Sequence, residues 1–204
     1  TLDRSSAASD VYKRQVFLDG MVMCGKTLFA FGDPINNQFY ILQKQGRSIS
    51  RLDSLFPYSF NGEAGFAASG SGIICTANGF AFVTGGESGS RFIEWNKNRY
   101  NQTKLPLAAG EGCGAFSVDA LNQQIVAVGG CYLDSISSYG NACYSVDAGL
   151  TWQVPEEPPH GYRSCVKAVP AWGENVFVAC GRTGIDYSID GGKTWNLVSS
   201  IGYY

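Results

Sequence analysis

Apolar positions along this chain fall in short blocks closed by glycine. LFAFGD ends its run at Gly32, FAFVTGG at Gly85, IVAVGG at Gly129 and VFVACG at Gly181. Short, nearly continuous apolar runs bounded by turn residues predict strands buried on both faces. The last unit can be drafted whole. SCVKAV, NVFVAC, IDYSI and TWNLV read as four strands, separated by Pro170-Ala171-Trp172-Gly173 and by turns at residues 181–184 and 190–192. No long stretch carries a helical period, so the pattern predicts an all-β protein.

A second signal repeats in step with the first. Ser145-Val146-Asp147-Ala148-Gly149-Leu150-Thr151-Trp152 matches Ser188-Ile189-Asp190-Gly191-Gly192-Lys193-Thr194-Trp195, giving S-x-D-x-G-x-T-W twice. The Asp side chain caps backbone N–H groups of its own turn, and Gly takes the positive φ of a tight hairpin. Thr starts the return strand, and Trp lays its apolar face on the hairpin and its neighbour. Two weaker copies lie upstream. LQKQGRSI keeps Gly46, Ser48 and Ile49, and IEWNKNRY keeps Tyr100 in the Trp slot. Repeats of roughly 45 residues, each of four antiparallel strands, predict the blades of a β-propeller. The boundaries are drawn near 16–57, 61–107, 111–158 and 161–200.

Composition agrees and narrows the partners. Of 204 residues 26 are Gly and only 16% are charged, as expected of a chain rich in tight turns. A net charge of −2 gives no electrostatic case for nucleic acid or an anionic membrane. No apolar run approaches the ~18 residues of a membrane span. TLDRSSAASDVYKRQ, residues 1–15, is polar and without alternation, and reads as a non-native tail outside the fold.

The repeated turn resembles the Asp-box, or bacterial neuraminidase repeat, of sialidases, sortilin-type receptors and photosystem II stability/assembly-factor-like propellers. AFGDPINNQFYIL, NGEAGFAAS, VTGGESGSRF, PPHGYRSCVKAV and VACGRTGIDYSIDGGKTW extend a resemblance to bacterial, secreted, assembly-factor-like propeller proteins over nearly all of residues 16–204. That resemblance implies a seven-bladed propeller, of which this chain is expected to hold an incomplete arc of about four blades. The two unpaired edges of such an arc invite aggregation. Some of these relatives carry an oxidoreductase label. The residues give it no support: no G-x-G-x-x-G follows a strand, and there is no Cys-x-x-Cys.

Candidate chemistry gathers on loops beside strand ends. Arg91, Arg163 and Arg182, with Asp33, Glu63 and Tyr162, could form an anionic or planar ligand site where propeller loops converge. Convergence of the three Arg beside Tyr162 and a carboxylate would favour a sialidase-type glycosidase with a Tyr nucleophile. Separate ion pairs would favour binding by surface shape. Seven Cys are present. Bridges could join Cys165 to Cys180 across one hairpin, or Cys131 to Cys143 around YLDSISSYGNA; burial as small apolar residues is the alternative. Their spacings do not suit zinc, and His160 is the sole His, placed in a Pro-rich connection with no serine elbow nearby. No catalytic residue, metal or cofactor is assigned. The leading expectation is a non-catalytic secreted or periplasmic scaffold, a monomer when full length, that binds a protein or glycan partner. The alternatives are a sialidase-type glycoside hydrolase and, more weakly, an oxidoreductase.

Overall fold

In the computed structural model, residues 16–96 and 99–202 are described; residues 1–15, read above as a tail, and Lys97, Asn98, Tyr203 and Tyr204 lie outside them. Strands β1 (Leu18–Cys24), β2 (Thr27–Ile35), β3 (Gln38–Gln45) and β4 (Ser48–Arg51) form a first antiparallel meander. The β2–β3 turn has Asn36 and Asn37 at φ 53° and 62°. That is the residue type and geometry of a two-residue hairpin whose twist matches its strands.

A second sheet follows from β6 (Ile73–Thr76), β7 (Gly79–Val83), β9 (Ser90–Asn96) and β10 (Arg99–Leu105). The third is built on β11 (Cys113–Leu121), β12 (Gln124–Cys131) and β13 (Ala142–Ser145). The fourth comprises β14 (Cys165–Ala168), β15 (Phe177–Gly181), β16 (Gly184–Ser188) and β17 (Asn196–Ser199). The first strands β1, β6, β11 and β14 pack in succession. Three apolar clusters fill the spaces between neighbouring sheets. Phe29, Phe31, Phe80 and Phe82 dominate the first; Val83, Phe92, Val118 and Ile125 the second; Val126, Val128, Tyr144 and Trp195 the third. The described chain is therefore all-β, with antiparallel sheets fanned face to face as in a propeller.

The two S-x-D-x-G-x-T-W turns fold alike. Ser145 Oγ donates to Asp147 Oδ1 at 2.8 Å and accepts from Gly149 N at 2.8 Å. Asp147 also accepts from Thr151 N and Thr151 Oγ1, and Trp152 Nε1 donates to the Gly149 carbonyl. Ser188, Asp190, Gly192, Thr194 and Trp195 repeat each of these bonds. Each Trp packs on the sheet before its own: Trp152 on Phe92 of β9, and Trp195 on the cluster containing Val126 and Tyr144.

Two features depart from the drafted strands. The outer strand of the third sheet shrinks to one bridge, Tyr144 to Gln153. The same sheet gains β8 (Gly85–Gly86) and β5 (Glu63–Ala64) on the inner side of β11. Both come from chain that precedes β9. Glycine permits this crossing: a Cβ on Gly114 would collide with the Gly85 backbone.

Candidate active site: a carboxyl pair on two strand bulges

The hairpin register places two acids together. Leu18 pairs with Gly32 and Gly20 with Phe31, leaving Asp19 as an extra residue on β1. Gly32 pairs with Tyr40 and Pro34 with Phe39, leaving Asp33 extra on β2. Bulges re-aim side chains, and here two adjacent ones turn carboxyls toward the same glycine. Gly65 N donates to Asp33 Oδ1 at 3.3 Å, and a Cβ on Gly65 would collide with Asp19 Oδ2. Asp19 is buried, and its Oδ2 has no hydrogen-bond partner. Loss of water, and then the neighbouring Asp33, push its pKa up to about 7. Burial also raises Asp33, opposed by the Gly65 N–H. The pair thus keeps one carboxyl protonated near neutral pH beside a second that is half-exposed.

The remaining sequence candidates lie elsewhere, in separate groups. Glu63 and Arg91 form a buried ion pair, with Arg91 Nε 2.8 Å from Glu63 Oε1. Glu63 also accepts from Thr84 Oγ1 and Phe60 N, and the Phe60 ring stacks on the guanidinium at 4.2 Å. Arg163 is fully buried. Its Nε and Nη2 donate to Asp186 Oδ2, and its Nη1 donates to the Tyr162 carbonyl and Thr183 Oγ1. The other Asp186 oxygen lies 2.7 Å from Nδ1 of His160, whose side chain is 54% exposed. Tyr162 is buried edge-on to Phe116 at 4.9 Å. Burial raises its phenol far above the ordinary tyrosine range, with Arg182 opposing, so it stays protonated. Arg182 donates to the Tyr132 carbonyl. The structure therefore joins Glu63 to Arg91 and sets Arg163 and Arg182 beside Tyr162, with Arg163 committed to Asp186, while Asp33 has a partner of its own.

Asp19 and Asp186 were not among the sequence candidates. Asp19 sits in FLDG, where Asp-Gly reads as a turn. Regular counting back from the Gly25-Lys26 turn would set Asp19 opposite Gly32; only the bulge on each strand brings it beside Asp33. The Cys131–Cys143 alternative is overturned. Cys131 bridges Cys113, directly across β11 and β12, while Cys24 bridges Cys75 between the first two sheets. Cys143, Cys165 and Cys180 are free thiols. Among the described residues, no three of His, Cys, Asp and Glu come together as a metal site. A cleft of about 730 Å³ opens beside β10, walled by Pro106, Leu107, Tyr139, Val154, Pro155 and Pro158.

No protein-family model matches the chain, and no curated protein matches it. Solved structures do. An ancestral GH74 enzyme superposes with a TM-score of 0.55 at 15% identity, over 89% of this chain and 24% of that one. A GH74 enzyme from Niastella koreensis gives 0.51 at 14% identity, over 92% of this chain and 30% of its own. This likeness is one of fold, to propeller-type architecture. The chain spans only about a quarter to a third of the length of either enzyme.

Proposed function

We infer that this chain supplies part of a glycoside hydrolase site, with Asp19 and Asp33 as its carboxyl pair. The observation that carries the reading is their meeting on adjacent bulges, with Asp19 Oδ2 buried and unpartnered. Glycoside hydrolysis commonly needs one carboxyl that still holds its proton at working pH and another that is ionised. Burial and like-charge repulsion supply that asymmetry here. Asp33, the more exposed member, is the one that meets the glycan, and the proton that the pair holds passes to the substrate through it, with Asp19 as its buried partner. The GH74 likeness supports a glycosidase ahead of a bare scaffold. Arg91 and Arg163, each committed to its own buried carboxylate, offer no shared anion clamp of sialidase type. Two disulfides support a secreted or periplasmic setting.

The test is release of reducing ends from a panel of soluble β-glucans and aryl glycosides. Turnover should fall by more than ~100-fold in Asp33→Asn, the scale of removing a general acid or base. In Asp19→Asn the limb of the pH profile near 7 should vanish. Full activity in both variants would remove the proposal, as would no turnover of any glycan by the parent. A second reading, a scaffold that binds a glycan or protein without turnover, is favoured by the cleft at Tyr139, which shares no residue with the carboxyl pair. Binding that Tyr139→Ala abolishes, with no product formed, would select it.

A further inference from the structure

Cys165 on β14 stands directly opposite Cys180 on β15, and their thiols are in hydrogen-bond contact. The fold already closes one bridge between directly opposed residues of two neighbouring strands, Cys113–Cys131. Cys165 and Cys180 share that placement but remain thiols, and both are partly exposed. Their surroundings differ on the two sides. Cys165 receives hydrogen bonds from Cys180 and Ser71, with Ser69 and the Lys167 ammonium also near. Asp119 sits 3.4 Å from that ammonium and offsets part of its charge. Cys180 is the donor of the pair, with Arg163 the charge near it. The donors hold Cys165 as the thiolate, with its pKa lowered to about 6, while Cys180 is pushed up by donating to it and by burial.

We propose that Cys165 and Cys180 form a redox-active dithiol that reduces small-molecule disulfides, with Cys165 attacking and Cys180 resolving. The Cys165 thiolate attacks one sulfur of the disulfide, giving a mixed disulfide and releasing one thiolate. Cys180 then loses its proton to that thiolate or to water and attacks Cys165 Sγ. The Cys165–Cys180 bond forms and the second thiol leaves. Two protein thiols are oxidised and one external disulfide becomes two thiols. Attack needs a thiolate and a nearby resolving thiol, and this pair provides both.

The experiment uses the full chain carrying Cys143→Ser, so that the lone buried thiol does not confuse the readout. The protein is equilibrated with mixtures of reduced and oxidised glutathione, quenched in acid, alkylated, and mapped by peptide mass spectrometry. The expected result is that Cys165 and Cys180 interconvert with the glutathione ratio while Cys24–Cys75 and Cys113–Cys131 stay closed. Cys180→Ser, which keeps a donor hydroxyl, should trap one glutathione on Cys165. Cys165→Ser should take up none on Cys180. In the parent, alkylation of Cys165 should be half-maximal near pH 6, where a thiol of ordinary pKa ~8.5 is less than ~1% ionised. The proposal falls if the pair opens only together with Cys24–Cys75, if Cys165→Ser is glutathionylated at Cys180 as fast as the parent at Cys165, or if neither cysteine reacts.

Discussion

Replacing Arg163 by Ala tests the buried centre of the fourth sheet. The guanidinium is fully buried and donates to Asp186 Oδ2 twice, to the Tyr162 carbonyl and to Thr183 Oγ1. Ala removes all of these at once and leaves the Asp186 carboxylate buried, with only His160 beside it. Breaking a buried pair on one side costs ~3–5 kcal/mol, because the remaining charge is uncompensated. Removing both charges is different: apolar residues of similar volume in place of a buried pair are often neutral. Arg163→Met with Asp186→Leu should therefore recover most of the loss, giving a coupling of roughly 2 kcal/mol or more when set against Arg163→Met and Asp186→Leu singly. Urea unfolding followed by circular dichroism measures it, through the midpoint at constant slope. A loss below ~1 kcal/mol for Arg163→Ala, or additive effects in the double variant, would refute the view that Arg163 is a strut. It would return Arg163 to the pool of ligand-binding residues.

Other perturbations follow from particular contacts. Asp19 has its pKa raised in the folded state, to about 7, so its neutral form is the one that folding favours. Stability should be fullest below the unfolded value of ~3.9 and should decline as pH climbs through 7. Asp19→Asn should flatten that decline in thermal melts between pH 4 and 8 and be the more stable protein at pH 8; an unchanged slope would count against the buried acid. Ala148 holds φ 58° in the slot where the next repeat has Gly191 at φ 80°. Ala148→Gly should therefore stabilise by up to ~1 kcal/mol, despite the usual entropic cost of glycine, and a loss in urea unfolding would contradict it. Cys24–Cys75 closes 51 residues of chain between two sheets, so Cys24→Ser with Cys75→Ser should cost roughly 4 kcal/mol by loop-closure entropy. Trp195→Ala should cost ~3–5 kcal/mol and Trp152→Ala less, because Trp195 is 2% exposed and Trp152 is only partly buried; equal losses would break the argument from burial.

The all-β class and the strands of the last unit were legible because apolar runs recur between turns, and in the last two units the turn carries its own hydrogen-bond chemistry. Asp147 and Asp190 could be assigned from sequence because their partners lie within a few residues. What stayed hidden depends on register or on distant chain. Asp19 meets Asp33 only because two bulges sit side by side, and a one-residue shift in the hairpin would part them. Arg163 finds Asp186 across 23 residues, and Arg91 finds Glu63 across 28, neither of which leaves a periodic trace. The Gly85–Gly86 and Glu63–Ala64 strands are too short for any pattern of alternation. The sequence set Cys131 with Cys143 across the loop between them, whereas the pairing of β11 with β12 places it directly opposite Cys113.

The crossing of β5 and β8 into the third sheet has a bearing on modularity. A repeat array is easily lengthened or shortened when each unit ends where its own sheet ends. Here residues 63–64 and 85–86 belong to one unit by sequence and to its neighbour by hydrogen bonding. A clean excision of either unit would leave the other missing a rim or carrying an orphan one. Duplication or loss in such a lineage must move units as overlapping couples, and a designer who wishes to transplant one must graft its predecessor's margin as well.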